Sequence, residues 1–249
     1  MSLWRLEWLR LVRTRRLLAI AGIYLFFGLT GPLTARYLSA ILGRVGTEGV
    51  RIEVPPPVPA DGITQFAGNA NQIGLLVVVL IAASALAFDS RREMAVFLRT
   101  RVDSVRSIVL PAFTATAAAA ASGLVLGSLA AWYETAVLLG GVPAGRMLLG
   151  MAYGALFLVF AVAVVAAVAG VVRGVLATAG VALAILVLLA IAGSFGTLGR
   201  WLPTSLAGAM DPLVRGASLT DHLPAAAVAA ASTVALLWFA ISASARREL

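Results

Sequence analysis

Residues 147–195 read MLLGMAYGALFLVFAVAVVAAVAGVV, then RG, then VLATAGVALAILVLLAIAGSF. No charged side chain stands between Met147 and Val172, or between Val175 and Phe195. A helix of about 20 apolar residues crosses the hydrocarbon core of a bilayer. Lipid offers the backbone no hydrogen-bonding partners, so each run must satisfy its amides internally as a helix. Between them only Arg173 and Gly174 remain, enough for a tight turn.

Four further stretches have the same character, and the chain is expected to be all-α with six membrane-spanning helices. The spans are expected at 17–38, 72–88, 108–131, 147–172, 175–195 and 225–245, in one transmembrane domain over 1–249. The first span is expected to remain as an anchor. It is longer than a signal core, is preceded by a long basic segment with Trp4 and Trp8, and runs into Gly31-Pro32 without a small-x-small cleavage site. Of the 249 residues, 61% are hydrophobic and 12% charged, with mean hydropathy +0.99. A soluble domain carries about 25% charged residues.

Arginine distribution orients the spans. Thirteen Arg lie in the terminal segments and the loops after the second and fourth spans, and six on the other side. Set against five and six acidic residues, the first side carries the whole formal charge of +8. Positive loops stay inside, so both termini are expected in the cytoplasm. Anionic lipid accounts for the charge without nucleic acid. The larger outer loop, 39–71, holds Pro55, Pro56, Pro57 and Pro59 and is expected to be extended polyproline. The other, 196–224, mixes Trp201, Leu202, Leu206 and Met210 with Pro203 and Pro212. It is too apolar for a free loop and too broken to span, so short helices at the outer interface are expected.

Every one of the 19 basic residues is Arg, and Lys is absent. A phosphate loop of the GxxxxGK[ST] type needs its Lys, so the chain cannot hydrolyse ATP in that way. Without Cys, thiol catalysis, disulfides and thiolate metal sites are excluded. No triad, carboxylate pair or metal-ligand spacing is visible, so no catalytic, cofactor or metal residue is assigned and the chain is not expected to be an enzyme. An Ala-, Gly-, Arg- and Val-rich chain without Lys suggests a GC-rich bacterial genome.

Two amphipathic segments flank the spans. Residues 1–16 are expected to form an interfacial helix, with Trp4, Trp8, Leu11 and Val12 on one stripe and Glu7, Arg10 and Arg13 away from it. Trp favours the membrane interface and Arg the headgroups. Residues 89–107 form the long loop after the second span. As a helix, Met94, Phe97, Leu98, Val102 and Val105 share a stripe opposite Arg92, Arg99 and Arg106. This is an apolar ridge that could dock in a partner's groove or rest on lipid.

No Asp, Glu, Arg or His lies in the middle of a span, where ion-coupled transporters keep ionisable groups. The interior polar groups are hydroxyls such as Tyr24, Thr30, Ser84, Thr116, Ser128, Tyr153, Thr178 and Thr233. A path lined by them would suit an amphipathic or lipidic substrate, although ordinary helix packing explains any one of them. Gly123/Gly127, Gly150/Gly154 and Gly170/Gly174 permit close helix approach. His222 reads as a solvated loop residue, and Tyr133 and Glu134 as rim or anchoring groups.

This order of segments resembles the membrane subunit of ABC-2 type exporters. The features shared are a basic amphipathic N-terminal helix, a first span running into Gly31-Pro32, a long first outer loop, a basic loop after the second span, broken helices before the sixth span, and the tail Arg246-Arg247-Glu248-Leu249. The resemblance implies that Arg91, Arg92, Glu93, Phe97, Leu98 and Arg99 contact an ATPase subunit as a coupling helix. Many relatives have Glu-x-Gly-Thr followed by Pro there, whereas Glu93-Met94-Ala95-Val96 stands here with no Pro before Pro111. It also implies two ATPase partners carrying ATP and Mg, a second permease copy or related permease, and export of a drug, antibiotic or lipid across the bacterial cytoplasmic membrane. The alternative is a six-span scaffold or assembly subunit that transports nothing.

Overall fold

The computed structural model describes residues 3–45, 56–87 and 106–246. All regular structure among them is helical. Helix α1 covers Leu3–Arg13 and α2 Arg16–Val45. Helix α3, Pro59–Asn69, runs through a π turn at Ala70–Gly74 into α4, Leu75–Leu86. Helix α5 is Arg106–Leu138, α6 Ala144–Ala169 and α7 Val175–Gly193. Two 3₁₀ turns, Gly196–Arg200 and Pro203–Leu206, lead to the single-turn α8, Met210–Val214, and then to α9, Leu223–Arg246. Six of these helical stretches are long and apolar enough to cross a membrane. The protein is a multi-span membrane protein.

One sequence expectation is corrected here. The second long helix starts at Pro59, so residues 59–71 are helical and not part of the outer loop. Pro56, Pro57 and Val58 have no regular structure, but Pro59 occupies the first helical turn, where a missing N–H costs nothing. Asp61 accepts the Val58 backbone N–H at 2.9 Å and completes the N-terminal cap. The first long helix passes through Gly31-Pro32 to Val45, and its apolar part, Arg16–Leu38, agrees with the span expected at 17–38. Pro is tolerated in a membrane helix when neighbours cover the break, and the backbone of Phe66 lies against Gly31.

Helix α6 is the central post. Phe157, Phe160, Ala161, Val162, Val165 and most of its neighbours are buried, with α4, α5, α7 and α9 packed around it. Helices α2 and α5 form the most intimate pair. Side chains shrink to nothing where they cross. Gly28 and Gly127 meet backbone to backbone, and a Cβ on Gly127 would strike the Tyr24 carbonyl group. Tyr24, 1% exposed, fills the space left by Gly74, Gly123 and Gly127. Gly150 sits against Met210, Gly154 against Leu124, and Gly170 against Ala240 and Ala243 of α9. The link from α6 to α7 turns at Gly174, whose φ of 92° suits glycine.

The glycine seam makes a directional prediction. Gly127→Ala should cost about 1–3 kcal/mol of stability, the usual range for overpacking. Gly22→Ala, on α2 in open space, should be neutral or slightly stabilising. Unfolding of both variants in detergent, followed by circular dichroism, checks the contrast.

Candidate functional site

Two features stand out, a polar clamp at one end of the bundle and an apolar hollow along its side. The clamp joins the start of α3 to α8. Arg215, just past α8, donates from Nε to Asp211 Oδ1 at 2.8 Å and from one terminal nitrogen to Asp61 Oδ1 at 2.8 Å. The same nitrogen lies 3.1 Å from Thr64 Oγ1, whose hydroxyl also bonds Asp211. The hydrogen bonds to Asp61 and Asp211 push the Arg215 pKa above its ordinary value, which keeps the guanidinium charged. Its side chain is 44% exposed, so water screens the pair and each bridge contributes little alone.

Neutral bonds extend the clamp. Asn71, in the π turn, donates to the Ala207 carbonyl at 2.8 Å. Such turns shift side-chain register by one residue and often mark functional positions. Arg146, at the start of α6, donates to the Leu213 carbonyl at 3.0 Å. Tyr153 donates to the Leu219 carbonyl at 3.2 Å, and its ring meets His222 edge-on at 5.7 Å. His222 is therefore half-buried, contrary to its reading as a solvated loop residue. Burial lowers its pKa below 6.5, partly offset by Asp221. Beneath these contacts Leu206, Met210 and Leu213 are buried. The short helices between the fifth and sixth long helices are thus pinned to α3 and α6.

The hollow lies between α7 and α9, floored by α6 and closed at the clamp end by Leu202 and Pro203. Its volume is about 560 Å³. The wall is almost wholly apolar, with Phe160, Val164, Leu189, Leu236 and Phe239 prominent. The hydroxyl of Ser232 is spent on the Val228 and Ala229 carbonyls of its own helix. The same back-bonding occupies Thr30, Ser84, Thr116, Ser122 and Thr233. Ser128, Thr135 and Thr178 are buried without a partner. Most of the interior hydroxyls therefore serve their own helices.

The residues singled out from sequence fare unevenly. Arg91, Arg92, Glu93, Phe97, Leu98 and Arg99 lie outside the described residues. In α1, Trp4, Trp8 and Val12 are exposed, at 48%, 44% and 56%, and Arg13 is exposed as well. Leu11 departs from the expected stripe: it is 5% exposed and belongs to the core, because α1 packs on α5 through this side chain. Arg10 pairs with Glu7 at 3.4 Å. The Asp61–Arg215–Asp211 cluster escaped sequence reasoning. Asp61 lies 154 residues from Arg215, and the local signals were Asp61 two residues after Pro59 and the i,i+4 spacing of Asp211 and Arg215.

Among known proteins, the chain is similar to an uncharacterised transmembrane protein of Bacillus subtilis strain 168, YxlG. The two are 21% identical over 209 residues, 83% of this chain and 81% of the other. No family model matches the chain, and no solved structure does.

Arg215→Gln and Asp61→Asn should each raise amide hydrogen exchange across 207–216 by up to about fivefold, equivalent to about 1 kcal/mol. The double variant should add little further, because the two changes remove one interaction. Exchange in the middle of α6 should not move. His222 predicts a pH effect. Its folded pKa is depressed, so the unfolded chain takes up a proton first as pH falls. Stability present above about pH 6.5 is then lost on acidification. The fall in unfolding temperature between about pH 7.5 and 5 should be smaller in His222→Gln than in the parent chain.

Proposed function

We propose that this chain is the membrane-spanning permease subunit of an ATP-driven exporter in a bacterial cytoplasmic membrane, moving an amphipathic or lipidic substrate outward. The observation that carries the reading is the absence of any charged residue at mid-depth in the six long apolar stretches, in a chain that also lacks Lys. Such a bundle has no group to couple to a proton or ion gradient and no phosphate loop of its own. Energy must arrive mechanically, from a separate ATPase that carries ATP and Mg. Two ATPase subunits and a second permease copy, or a related one, complete the assembly in this reading.

The segment 89–107 transmits the stroke, with Phe97 and Leu98 seated in the ATPase and Arg91, Arg92, Glu93 and Arg99 around them. Helix α1 lies against the inner leaflet with Trp4 and Trp8 toward lipid. Leu11 ties α1 to α5, so a push on either is felt by both. Both termini are cytoplasmic, and the Asp61–Arg215–Asp211 clamp stands at the outer end. There it holds the broken helices closed until the bundle rocks. The almost wholly apolar lateral hollow favours substrates with a hydrocarbon part.

The test is co-expression with an ATPase subunit, sought first in a neighbouring reading frame with a GxxxxGK[ST] loop. Phe97→Asp with Leu98→Asp should abolish co-purification of the ATPase and substrate-dependent transport while leaving the permease folded. Unchanged association and transport would remove the coupling role. Stable co-purification with a partner lacking a phosphate loop, and with no ATPase, would favour a scaffold.

A further inference from the structure

A second hollow, of about 420 Å³, continues the first toward the arginine-rich end of the bundle. It is lined by Gly170 and Val171 at the end of α6 and by Trp238, Phe239, Ser242 and Arg246 of α9. Phe239 belongs to both hollows and marks their junction. Along α9 the wall residues Val228, Ser232, Ala235, Phe239, Ser242 and Arg246 recur every three or four positions, so they form one stripe. From Val228 to Arg246 the stripe is about 27 Å long at 1.5 Å per residue, close to the roughly 30 Å of the hydrocarbon core. The slot therefore runs past the bilayer midplane.

We propose that this slot seats one acyl chain of an anionic lipid, with the lipid's headgroup against Arg246. Two observations converge on that occupant. The deeper hollow offers no free polar side chain, since Ser232 is the one polar residue in its wall and its hydroxyl is satisfied within its own helix, and a hydrocarbon tail asks for none. The one charged lining residue, Arg246, stands at the end of the slot and is paired with no carboxylate among the described residues. A cation at the mouth of an apolar bore matches a lipid's anionic head over its tail. Trp238, 68% exposed, lines the same hollow about 12 Å along α9 from Arg246, at the depth of a seated tail. Leu202 and Pro203 close the far end and set how deep a tail can reach. Binding of this kind needs no ATPase, so it stands or falls apart from the transport reading.

The experiment uses the full chain in nanodiscs, with Trp4, Trp8, Trp132 and Trp201 changed to Phe so that Trp238 alone fluoresces. Tail-brominated phosphatidylglycerol and phosphatidylcholine are added separately as minority lipids. Phosphatidylglycerol should quench Trp238 at about fivefold lower mole fraction, the preference expected of one basic residue at a membrane surface. Arg246→Gln, a change at the helix end, should equalise the two lipids. Ala235→Phe, which fills the deeper hollow, should reduce quenching by phosphatidylglycerol while circular dichroism stays unchanged. Equal quenching by both lipids in the Trp238-only chain, or a preference that survives both variants, would overturn the assignment. So would efficient disulfide dimerisation of a Ser242→Cys chain in the membrane, since a second copy would then occupy the slot.

Discussion

The close crossing of α2 and α5 at Gly28, Gly123 and Gly127 is the contact on which the rest of the bundle depends. In hydrocarbon there is no hydrophobic gain when two apolar helices meet, because lipid tails are as apolar as leucine. Association must come from shape, and dispersion falls off steeply with any gap. The glycines let the backbones touch, and Tyr24 then fills the volume that Gly74 of the second span leaves open. One aromatic ring thus registers three helices at once. With that triad fixed, α5 presents Leu124 to Gly154 of α6, and α6 becomes the post around which α4, α7 and α9 arrange themselves.

Polarity is distributed by depth. At mid-bilayer the hydroxyls bond carbonyls of their own helices, so the surfaces that meet are almost purely apolar. At the clamp end the bonds run between elements far apart in sequence, Asp61 to Arg215, Asn71 to Ala207 and Tyr153 to Leu219. Bonds within a helix do not resist motion of that helix, whereas bonds between elements do. The end that carries the clamp is therefore the end whose relative movement is under polar control. The Arg215 bridges are wet enough to break and reform at low cost, and Leu206, Met210 and Leu213 beneath them are not.

Hydropathy alone revealed the hairpin at 147–195, because a span without charge and a two-residue link leave little choice. It was blind where local and collective signals disagreed. Four prolines within five residues look like an extended loop, yet Pro59 with Asp61 two positions later is also a helix start, and only packing of Phe66 against Gly31 decides between them. The stripe through Trp4, Trp8, Leu11 and Val12 is real as helical geometry, but periodicity cannot tell a lipid face from a protein face when both are apolar. Leu11 went inward because α5 lies on that side. The clamp was invisible for a different reason. Asp61, Asp211 and Arg215 each look like ordinary loop charges, and their meeting depends on the turns between α7 and α9 folding back over α3 and α6.

The most exposed long helices are α7 and α9, the pair that flanks the hollow. Each leans on the central post, and little joins them directly except the turn at Pro203–Leu206. A membrane bundle that needed only to be stable would bring those two helices together and bury Ile185, Leu189 and Phe239 between them. Instead the 3₁₀ turn spaces them at one end, and Gly170 draws α9 onto α6 at the other, where its Cβ would meet the Ala240 carbonyl at 3.2 Å. The opening is thus held by specific contacts at both ends and not left by a missing side chain. In a bilayer such an opening is filled by hydrocarbon, so lipid is part of this protein's packing as much as its solvent.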